Sequence, residues 1–202
     1  MSKDLKKLME SADQAIDNED FAQAETMFQA ALWEAERTND PSTIANCLDR
    51  LAEVLFEQGK YIESEPLYKR ALEIREKQLG PHHEEIVQSL NNLSAVYFFQ
   101  EKFEQAEPLC VRLTEIYERV LGTDNPEVAT SYNNLALLYA AQKKYGPAET
   151  LYKRSLELKT SLLGEKHPEV GDLLQNLGTL YFNQERYAEA EPLLKDSLTI
   201  LE

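Results

Sequence analysis

Apolar residues recur at a helical spacing along most of the chain. Ile86, Leu90, Leu93 and Tyr97 lie three or four positions apart, which places them on one face of a helix. A second stripe of the same spacing consists of Phe103, Ala106, Cys110, Leu113 and Ile116. Only Gln100-Glu101-Lys102 separates the two stripes. This short connection predicts two antiparallel helices packed as a hairpin.

The whole pattern repeats every 42 residues. The period is marked by Gly80, Gly122 and Gly164 and by Tyr61, Phe103, Tyr145 and Tyr187. A fixed period of this length is typical of stacked repeats. We therefore predict an all-α chain of about five hairpins, with repeats at approximately residues 3–40, 41–80, 81–122, 123–164 and 165–202. Because each hairpin buries its apolar face against its neighbours, residues 1–202 are expected to form a single domain.

The predicted helices have start and stop signals that agree with the period. The second helix of a hairpin is expected to end at Gly80, Gly122 or Gly164, since glycine readily adopts the left-handed conformation. The next helix begins at Asn125-Pro126 or His167-Pro168. There the first residue caps the helix, and the missing N–H of proline has no cost.

Composition narrows the range of partners. The net charge is −15, spread over mixed-sign helix faces, which argues against nucleic acid and anionic membranes as partners. No apolar run approaches membrane-spanning length, and the first seven residues contain no apolar segment typical of a secretion signal. A cytoplasmic location is expected. Cys47 and Cys110 are predicted to be buried thiols rather than a disulfide.

No pattern of catalytic or cofactor-binding residues is present in the sequence. It contains no glycine-rich phosphate loop, no His-Glu-x-x-His and no Gly-x-Ser-x-Gly. His82-His83 and His167 precede helix starts without a second pair of metal ligands, so they are interpreted as caps and loop residues. We expect a protein that is not an enzyme and that has no catalytic residues, cofactor or metal site.

Several segments resemble the tetratricopeptide repeats, and within that family the 42-residue repeats of kinesin light chain. The matching segments are Leu90-Asn91-Asn92-Leu93, Tyr132-Asn133-Asn134-Leu135-Ala136-Leu137-Leu138-Tyr139, Gly59-Lys60-Tyr61, Ala106-Glu107-Pro108-Leu109-Cys110 and Arg70-Ala71-Leu72-Glu73-Ile74-Arg75-Glu76-Lys77. The resemblance implies a right-handed superhelical solenoid whose first helices line a concave groove. It also implies a scaffold that binds proteins or peptides there.

The groove should be lined by first-helix residues that lie opposite the core stripe. The predicted peptide-binding residues are Arg50, Gln88, Asn92, Phe99, Asn134, Leu137, Asn176 and Thr179. Asn92, Asn134 and Asn176 recur once per repeat, and an amide both donates and accepts hydrogen bonds, as a peptide backbone requires. The resemblance implies that these asparagines hold the main chain of the ligand. Alternatively, duplication simply copied a neutral solvated residue.

The predicted groove differs along its length in charge and in apolar character. Its N-terminal end carries Glu10, Asp13, Asp17, Asp49, Glu53 and Glu57 against Lys6 and Arg50. This excess of carboxylates predicts a ligand with a basic residue. Further along, Phe99 and Leu137 are predicted to form, with Phe98 and Ala140, a pocket for one apolar side chain. The alternative is that Phe99 folds over its own inter-helix turn.

Two further apolar features leave alternatives open. At the C-terminal end, Leu198, Ile200 and Leu201 should leave apolar surface exposed. The second hypothesis is therefore a structural or self-assembling fragment of a longer repeat array, which could form a homodimer through this end. Trp33 stands where other repeats have polar residues, and a local shift of helix phase is favoured over an exposed tryptophan.

Overall fold

The structure, a computed structural model, describes residues 3–202 and contains ten α-helices and no strand in that range. The helices are α1 (Lys3–Asp17), α2 (Phe21–Thr38), α3 (Pro41–Glu57), α4 (Tyr61–Leu79), α5 (Val87–Phe99), α6 (Phe103–Leu121), α7 (Pro126–Ala141), α8 (Tyr145–Leu163), α9 (Pro168–Asn183) and α10 (Tyr187–Leu201). The predicted all-α hairpins are confirmed. Residues 1 and 2, which the predicted domain includes, lie outside the described residues.

The helix boundaries follow the predicted signals, with one correction. Helix α3 begins with Pro41, and the side chain of Asp40 accepts a hydrogen bond of 3.3 Å from the backbone N–H of Thr43. After α4, Gly80 has φ 90° and ψ 162°, and its N–H bonds to the carbonyl of Glu76. Its φ is positive as expected, but its ψ lies outside the left-handed helical region, in a conformation essentially restricted to glycine.

The three-residue turns within the hairpins share one backbone conformation. In the turn between α5 and α6, the N–H of Glu101 donates to the carbonyl of Phe98 at 2.9 Å and that of Lys102 to Tyr97 at 2.8 Å. This is the Schellman pattern, and its middle residue has a positive φ of 57°. The same position is occupied by Glu19, Gly59, Lys143 and Glu185, all with positive φ.

The packing divides the chain into two compact units, Met1–Gln105 and Ala106–Glu202. The boundary lies within the first turn of α6, so the first unit contains α1 to α5 and the second contains most of α6 and α7 to α10. We call these the first and second units. The single continuous domain expected from the sequence stays a prediction.

Within each unit, the first helix of a hairpin packs onto the preceding hairpin. In the first unit, Phe28 of α2 shares a buried cluster with Leu51 and Val54 of α3. In the second unit, Tyr152 of α8 is 2% exposed and packs with Leu177 of α9. Consecutive hairpins in a unit therefore share one core, as the repeat pattern predicts.

A polar contact accompanies each of these inter-hairpin packings. The turn of one hairpin places a cation against a glutamate on the second helix of the preceding hairpin, and we call this contact the inter-hairpin clamp. Its four pairs are Lys60–Glu25 at 2.8 Å, Lys102–Glu65 at 2.7 Å, Lys144–Glu107 at 2.7 Å and Arg186–Glu149 at 2.6 Å. A glutamine two residues before the cation supports three of them by donating to the preceding hairpin.

The clamps lower the pKa of their glutamates. The hydrogen bond from Arg186, with others from Lys153 and Tyr181, lowers the pKa of Glu149 to about 2. For Glu65, burial is the largest effect and raises the pKa, but hydrogen bonds from the surrounding cations and from glutamine together bring it to about 2. Each clamp therefore favours the ionised carboxylate in the folded chain.

The remaining sequence expectations about burial are partly confirmed. Neither cysteine forms a disulfide, with Cys47 buried and Cys110 half-buried. Trp33 is 60% exposed and stacks with the guanidinium of Arg37, while its neighbours Ala31 and Ala35 are buried. The buried positions of α2 keep their phase, so the predicted shift is wrong and the tryptophan is exposed. None of the helices in residues 3–202 has the length and apolarity needed to cross a membrane.

Candidate functional site

The first unit contains an open cavity of about 650 Å³, which we call the first-unit groove. Helices α3 and α5 supply most of its lining, with single residues from α1 and α4. It is lined by Met9, Asn46, Asp49, Arg50, Glu53, Phe56, Glu57, Tyr68, Gln88, Asn91, Asn92 and Ala95. Three predicted site residues, Arg50, Gln88 and Asn92, lie together here.

Arg50 is held in place by two carboxylates. Its guanidinium pairs with Asp13 of α1 and, at 2.5 Å, with Glu53 one turn along α3. The guanidinium also lies 5.3 Å from the ring centre of Phe28. Burial by itself lowers the pKa of Arg50, but the two carboxylates more than offset this, so the pKa is raised. The charge of Arg50 is thus largely satisfied within the protein.

A second ion pair is more deeply placed in the groove wall. Arg75 of α4 contacts Asp49 at 2.5 Å, and both side chains are 16% exposed. Arg75 also donates to Ser89 at 2.7 Å and to Asn46 at 2.9 Å. Burial raises the pKa of Asp49, although the charge of Arg75 opposes the shift. The Oδ1 atom of Asp49 is buried and accepts no hydrogen bond from any described residue.

The polar groups exposed in the groove are amides and carboxylates. Gln88 donates a hydrogen bond of 2.7 Å to the side-chain oxygen of Asn92, which leaves the Asn92 amide nitrogen as a donor. Glu53 and Glu57 are exposed on α3. The groove therefore offers both donors and acceptors, with an excess of negative charge.

An aromatic cluster adjoins the groove at Phe56. The ring of Phe99 stacks on Tyr61 at 5.1 Å and meets Phe56 edge-on at 5.3 Å. Phe99 is nevertheless 55% exposed. It therefore packs against the preceding hairpin, instead of only over its own turn as the alternative interpretation proposed. The cluster places an exposed apolar surface beside the first-unit groove.

The other predicted site residues lie in the second unit. Asn134 and Thr179 are exposed, whereas Leu137 is half-buried and packs with the core around Tyr152. Asn176 donates to Asn133 at 3.0 Å and borders a cavity of about 110 Å³. Phe99 and Leu137 each pack within their own unit, and their joint pocket stays a prediction.

Two features of the site escaped the sequence interpretation. Arg75 lies on a second helix and was outside the set of first-helix residues used to predict the groove. The clamps were also missed, although their signal is present in the sequence. Both the glutamine and the cation of the turn recur every 42 residues, in Gln58, Gln100, Gln142 and Gln184 and in Lys60, Lys102, Lys144 and Arg186.

Across residues 3–202 no group of three or more histidine, cysteine or acidic side chains is arranged so that it could hold a metal ion. The carboxylates of the groove are instead engaged largely with Arg50 and Arg75.

The sequence model of the tetratricopeptide repeat family matches residues 42–109, 86–161 and 148–202. The chain belongs to the tetratricopeptide repeat family. The matches together extend over most of the chain and include the α3 and α5 residues of the groove. Membership supports a role as a protein-interaction scaffold in general. A search of the curated proteins gives no match.

Several solved structures share the fold. BtubC (BKLC) from P. vanneervenii is 26% identical with a TM-score of 0.81, over 94% of this chain and 76% of that one. A kinesin light chain-like protein of nearly identical TPR-like repeats from Podosopora anserina is 20% identical with a TM-score of 0.86, over 99% and 97%. The apo form of RapI is 16% identical with a TM-score of 0.84, over 97% and 69%.

Proposed function

We propose that this protein is a non-enzymatic scaffold that binds an extended peptide segment of another protein in the first-unit groove. The observation that carries the proposal is the open cavity of about 650 Å³ in which Arg50, Gln88 and Asn92 lie together. A cavity of this size accommodates several residues of an extended chain. The amides and carboxylates in its lining can bind the main chain and charged groups of a peptide, which a small apolar ligand lacks.

The lining indicates which peptide features would be recognised. Asn92 can donate to a main-chain carbonyl, while Glu53 and Glu57 can attract a lysine or arginine side chain. The exposed face of Phe99 provides a contact for one apolar side chain beside the groove. The expected ligand is an extended segment with one basic and one apolar residue.

The second unit contributes further proposed contacts. Asn134 and Asn176 occupy the same repeat position as Asn92 and are proposed to bind ligand main chain in the same way. Leu137 and Thr179 are proposed as neighbouring contacts. A cytoplasmic location belongs to the same proposal. So does the absence of nucleic-acid and membrane partners, which the net charge of −15 supports.

The proposal is tested by peptide-array screening followed by calorimetric titration of the selected peptides. Asn92→Ala and Glu57→Gln should each weaken binding about five- to tenfold, because each removes one polar or charged contact to the ligand. Gln14→Ala is the matched control, since Gln14 is an exposed amide on α1 that does not line the groove. Equal peptide affinities for all three variants and the wild type would refute the proposed binding site.

A second candidate function is association through the C-terminal end. Leu198 and Leu201 are 57% and 44% exposed, as expected, whereas Ile200 is half-buried. Exposed apolar surface at the end of a repeat array is typical of an assembly face. Light scattering over a dilution series tests the homodimer, which predicts an apparent mass that falls to that of one chain on dilution.

A further inference from the structure

The first-unit groove ends, towards the hairpin turns, at corresponding positions of α3 and α5. The residues that line it at a helical spacing are Asn46, Arg50, Glu53 and Glu57 on α3 and Gln88, Asn92 and Ala95 on α5. Phe99 follows Ala95 by one turn and so lies on the same face of α5. Glu57 and Phe99 are the last residues of their helices and occupy the same position in successive repeats. We call Glu57, Phe99 and the intervening ring of Phe56 the turn-end subsite.

Glu57 differs from the other carboxylates that line the groove. Asp49 pairs with Arg75, and Glu53 pairs with Arg50. Among residues 3–202, no lysine, arginine or histidine forms an ion pair with Glu57, and this residue is exposed. A cationic group of a ligand would therefore meet a carboxylate whose charge is not already compensated.

The aromatic rings of the subsite leave one flat surface open. One face of Phe99 is stacked on Tyr61, with the ring centres 5.1 Å apart and the ring planes inclined by 17°. Phe56, which lines the groove next to Glu57, meets Phe99 at 5.3 Å in a T-shaped contact. Since Phe99 is still 55% exposed, the ring face opposite Tyr61 is available to a ligand. A single open ring suits a planar cation better than a methylated ammonium group, which is typically bound in a cage of several rings.

Elsewhere the chain combines carboxylates and aromatic rings around its own cations. The guanidinium of Arg186 lies 4.1 Å from the ring centre of Tyr181 and pairs with Glu149 at 2.6 Å. The guanidinium of Arg50 lies over Phe28 and also pairs with two carboxylates. The turn-end subsite has the same two kinds of group, a carboxylate and an open ring. Among the described residues 3–202, no cation accompanies them.

We propose that the turn-end subsite binds an arginine side chain of the peptide ligand. The guanidinium pairs with Glu57 and lies on the open face of Phe99. Its planar shape allows both contacts at once, whereas the ammonium of lysine is a compact and strongly hydrated charge that stacks less well. The inference rests on the proposed peptide-binding function and narrows the basic residue of the ligand to arginine. The apolar side chain of the ligand then packs beside the arginine, where Phe98 of the same aromatic cluster is 37% exposed.

The corresponding positions of the second unit do not have this combination. They are occupied by Ala141 and Asn183, which are neither charged nor aromatic. An arginine is therefore recognised at the first-unit groove and not at the equivalent place in the later repeats. It fixes which part of the peptide lies in the first-unit groove.

The direct test is an array of ten-residue peptides in three matched sets. One position is arginine, lysine or citrulline, and the other positions vary identically in the three sets. Citrulline keeps the planar shape of arginine without its charge. Calorimetric titration of the best binders with the intact chain should give arginine peptides at least about fivefold higher affinity than lysine peptides and at least about tenfold higher affinity than citrulline peptides.

Two variants of the chain separate the two contacts. Phe99→Leu keeps an apolar side chain but removes the ring, so the preference for arginine over lysine should fall below about twofold. Glu57→Gln should weaken binding of the arginine and lysine peptides about five- to tenfold and leave that of the citrulline peptides unchanged. The matched controls are Phe182→Leu, whose ring is also 55% exposed, and Glu157→Gln, which alters an exposed carboxylate of α8. Neither control should change the preference for arginine.

Different outcomes overturn the arginine subsite and the peptide groove. Equal affinities of the wild type for arginine and lysine peptides, or a preference that persists in Phe99→Leu, would refute the subsite while leaving the groove as a peptide site. An equal loss for citrulline peptides in Glu57→Gln would refute the pairing with Glu57. If no peptide of the three sets binds, the groove and its subsite are refuted together. The comparison of the three peptide sets on the wild-type chain does not depend on how well any variant folds.

Discussion

Asp49 and Arg75 show how a single repeat can depart from the common pattern. At the Asp49 position the other repeats carry Asn91, Asn133 and Gln175, which are neutral. Asp49 instead forms a largely buried ion pair, with one carboxylate oxygen lacking a hydrogen-bond donor. Such a pair contributes little net stability, because desolvation offsets the attraction between the charges. Its position in the groove wall favours a role in shaping the site.

Replacing one partner of this pair should destabilise the fold more than replacing both. Asp49→Leu alone should lower the free energy of unfolding by about 2–3 kcal/mol, because Arg75 is left with a buried, uncompensated charge. The double variant Asp49→Leu/Arg75→Met should recover at least half of that loss. Urea denaturation of the single and double variants measures the difference, and additive losses would contradict this account.

The hairpin turns are the elements in which local strain is most evident. Glu101, Lys143 and Glu185 hold a positive φ of 57–61°, a conformation that disfavours residues with a side chain. The repeat at residues 41–80 has Gly59 at this position, with φ 74° and open space where a Cβ would lie. The Schellman hydrogen bonds and the clamp that follows them hold the other turns in place.

Glu101→Gly should therefore stabilise the chain by about 1 kcal/mol. Gly59→Ala is the matched reverse change, and it should destabilise the chain by a similar amount. Urea midpoints of the two variants and the wild type provide the measurement. A loss of stability in Glu101→Gly would show that its side chain makes a contribution larger than the strain.

The clamps should make stability depend on pH in the acid range. The pKa of Glu149 is about 2 in the folded chain against an ordinary value of 4.5, so its contribution is present above about pH 4.5 and is lost as the pH falls towards 2. Glu149→Gln should cost about 1–2 kcal/mol at pH 7 and almost nothing at pH 2.

The control for this prediction is Glu157→Gln on the same helix. Glu157 is exposed and lies outside the clamp, so the substitution should have little effect at either pH. Urea titrations of both variants at the two pH values give the comparison. If Glu149→Gln lowers the free energy of unfolding by the same amount at pH 2 as at pH 7, packing and not the charge of Glu149 is responsible.

At the scale of the whole molecule, periodicity was sufficient to predict the ten helices of residues 3–202 and their order. The apolar stripes and the Gly and Asn-Pro signals depend on local backbone preferences, and the same signals occur again in successive repeats. The ψ angle of Gly80 could not be predicted from the sequence, because glycine is compatible with both regions of positive φ. The exposure of Trp33 was also mispredicted, since an apolar residue at a polar position was assumed to be buried.

The candidate site was predictable only in part. Arg50 of α3 and Asn92 of α5 occupy the same position in successive repeats, and Gln88 lies one turn before Asn92, so the period alone predicted that they line the same groove. The neighbours of Phe99 depend on how its ring packs against the previous hairpin, which the sequence does not specify. The Asp49–Arg75 pair joins residues of different helices with no counterpart in the other repeats, so repetition provided no signal for it.

The central claim is that a peptide binds in the first-unit groove, and amide chemical-shift mapping of the intact chain with an array-selected peptide tests it most directly. The account predicts that the largest shifts fall on α3 and α5, around Arg50, Gln88 and Asn92, and that Asn92→Ala reduces them at the same peptide concentration. Shifts confined to α8 and α10 would contradict it.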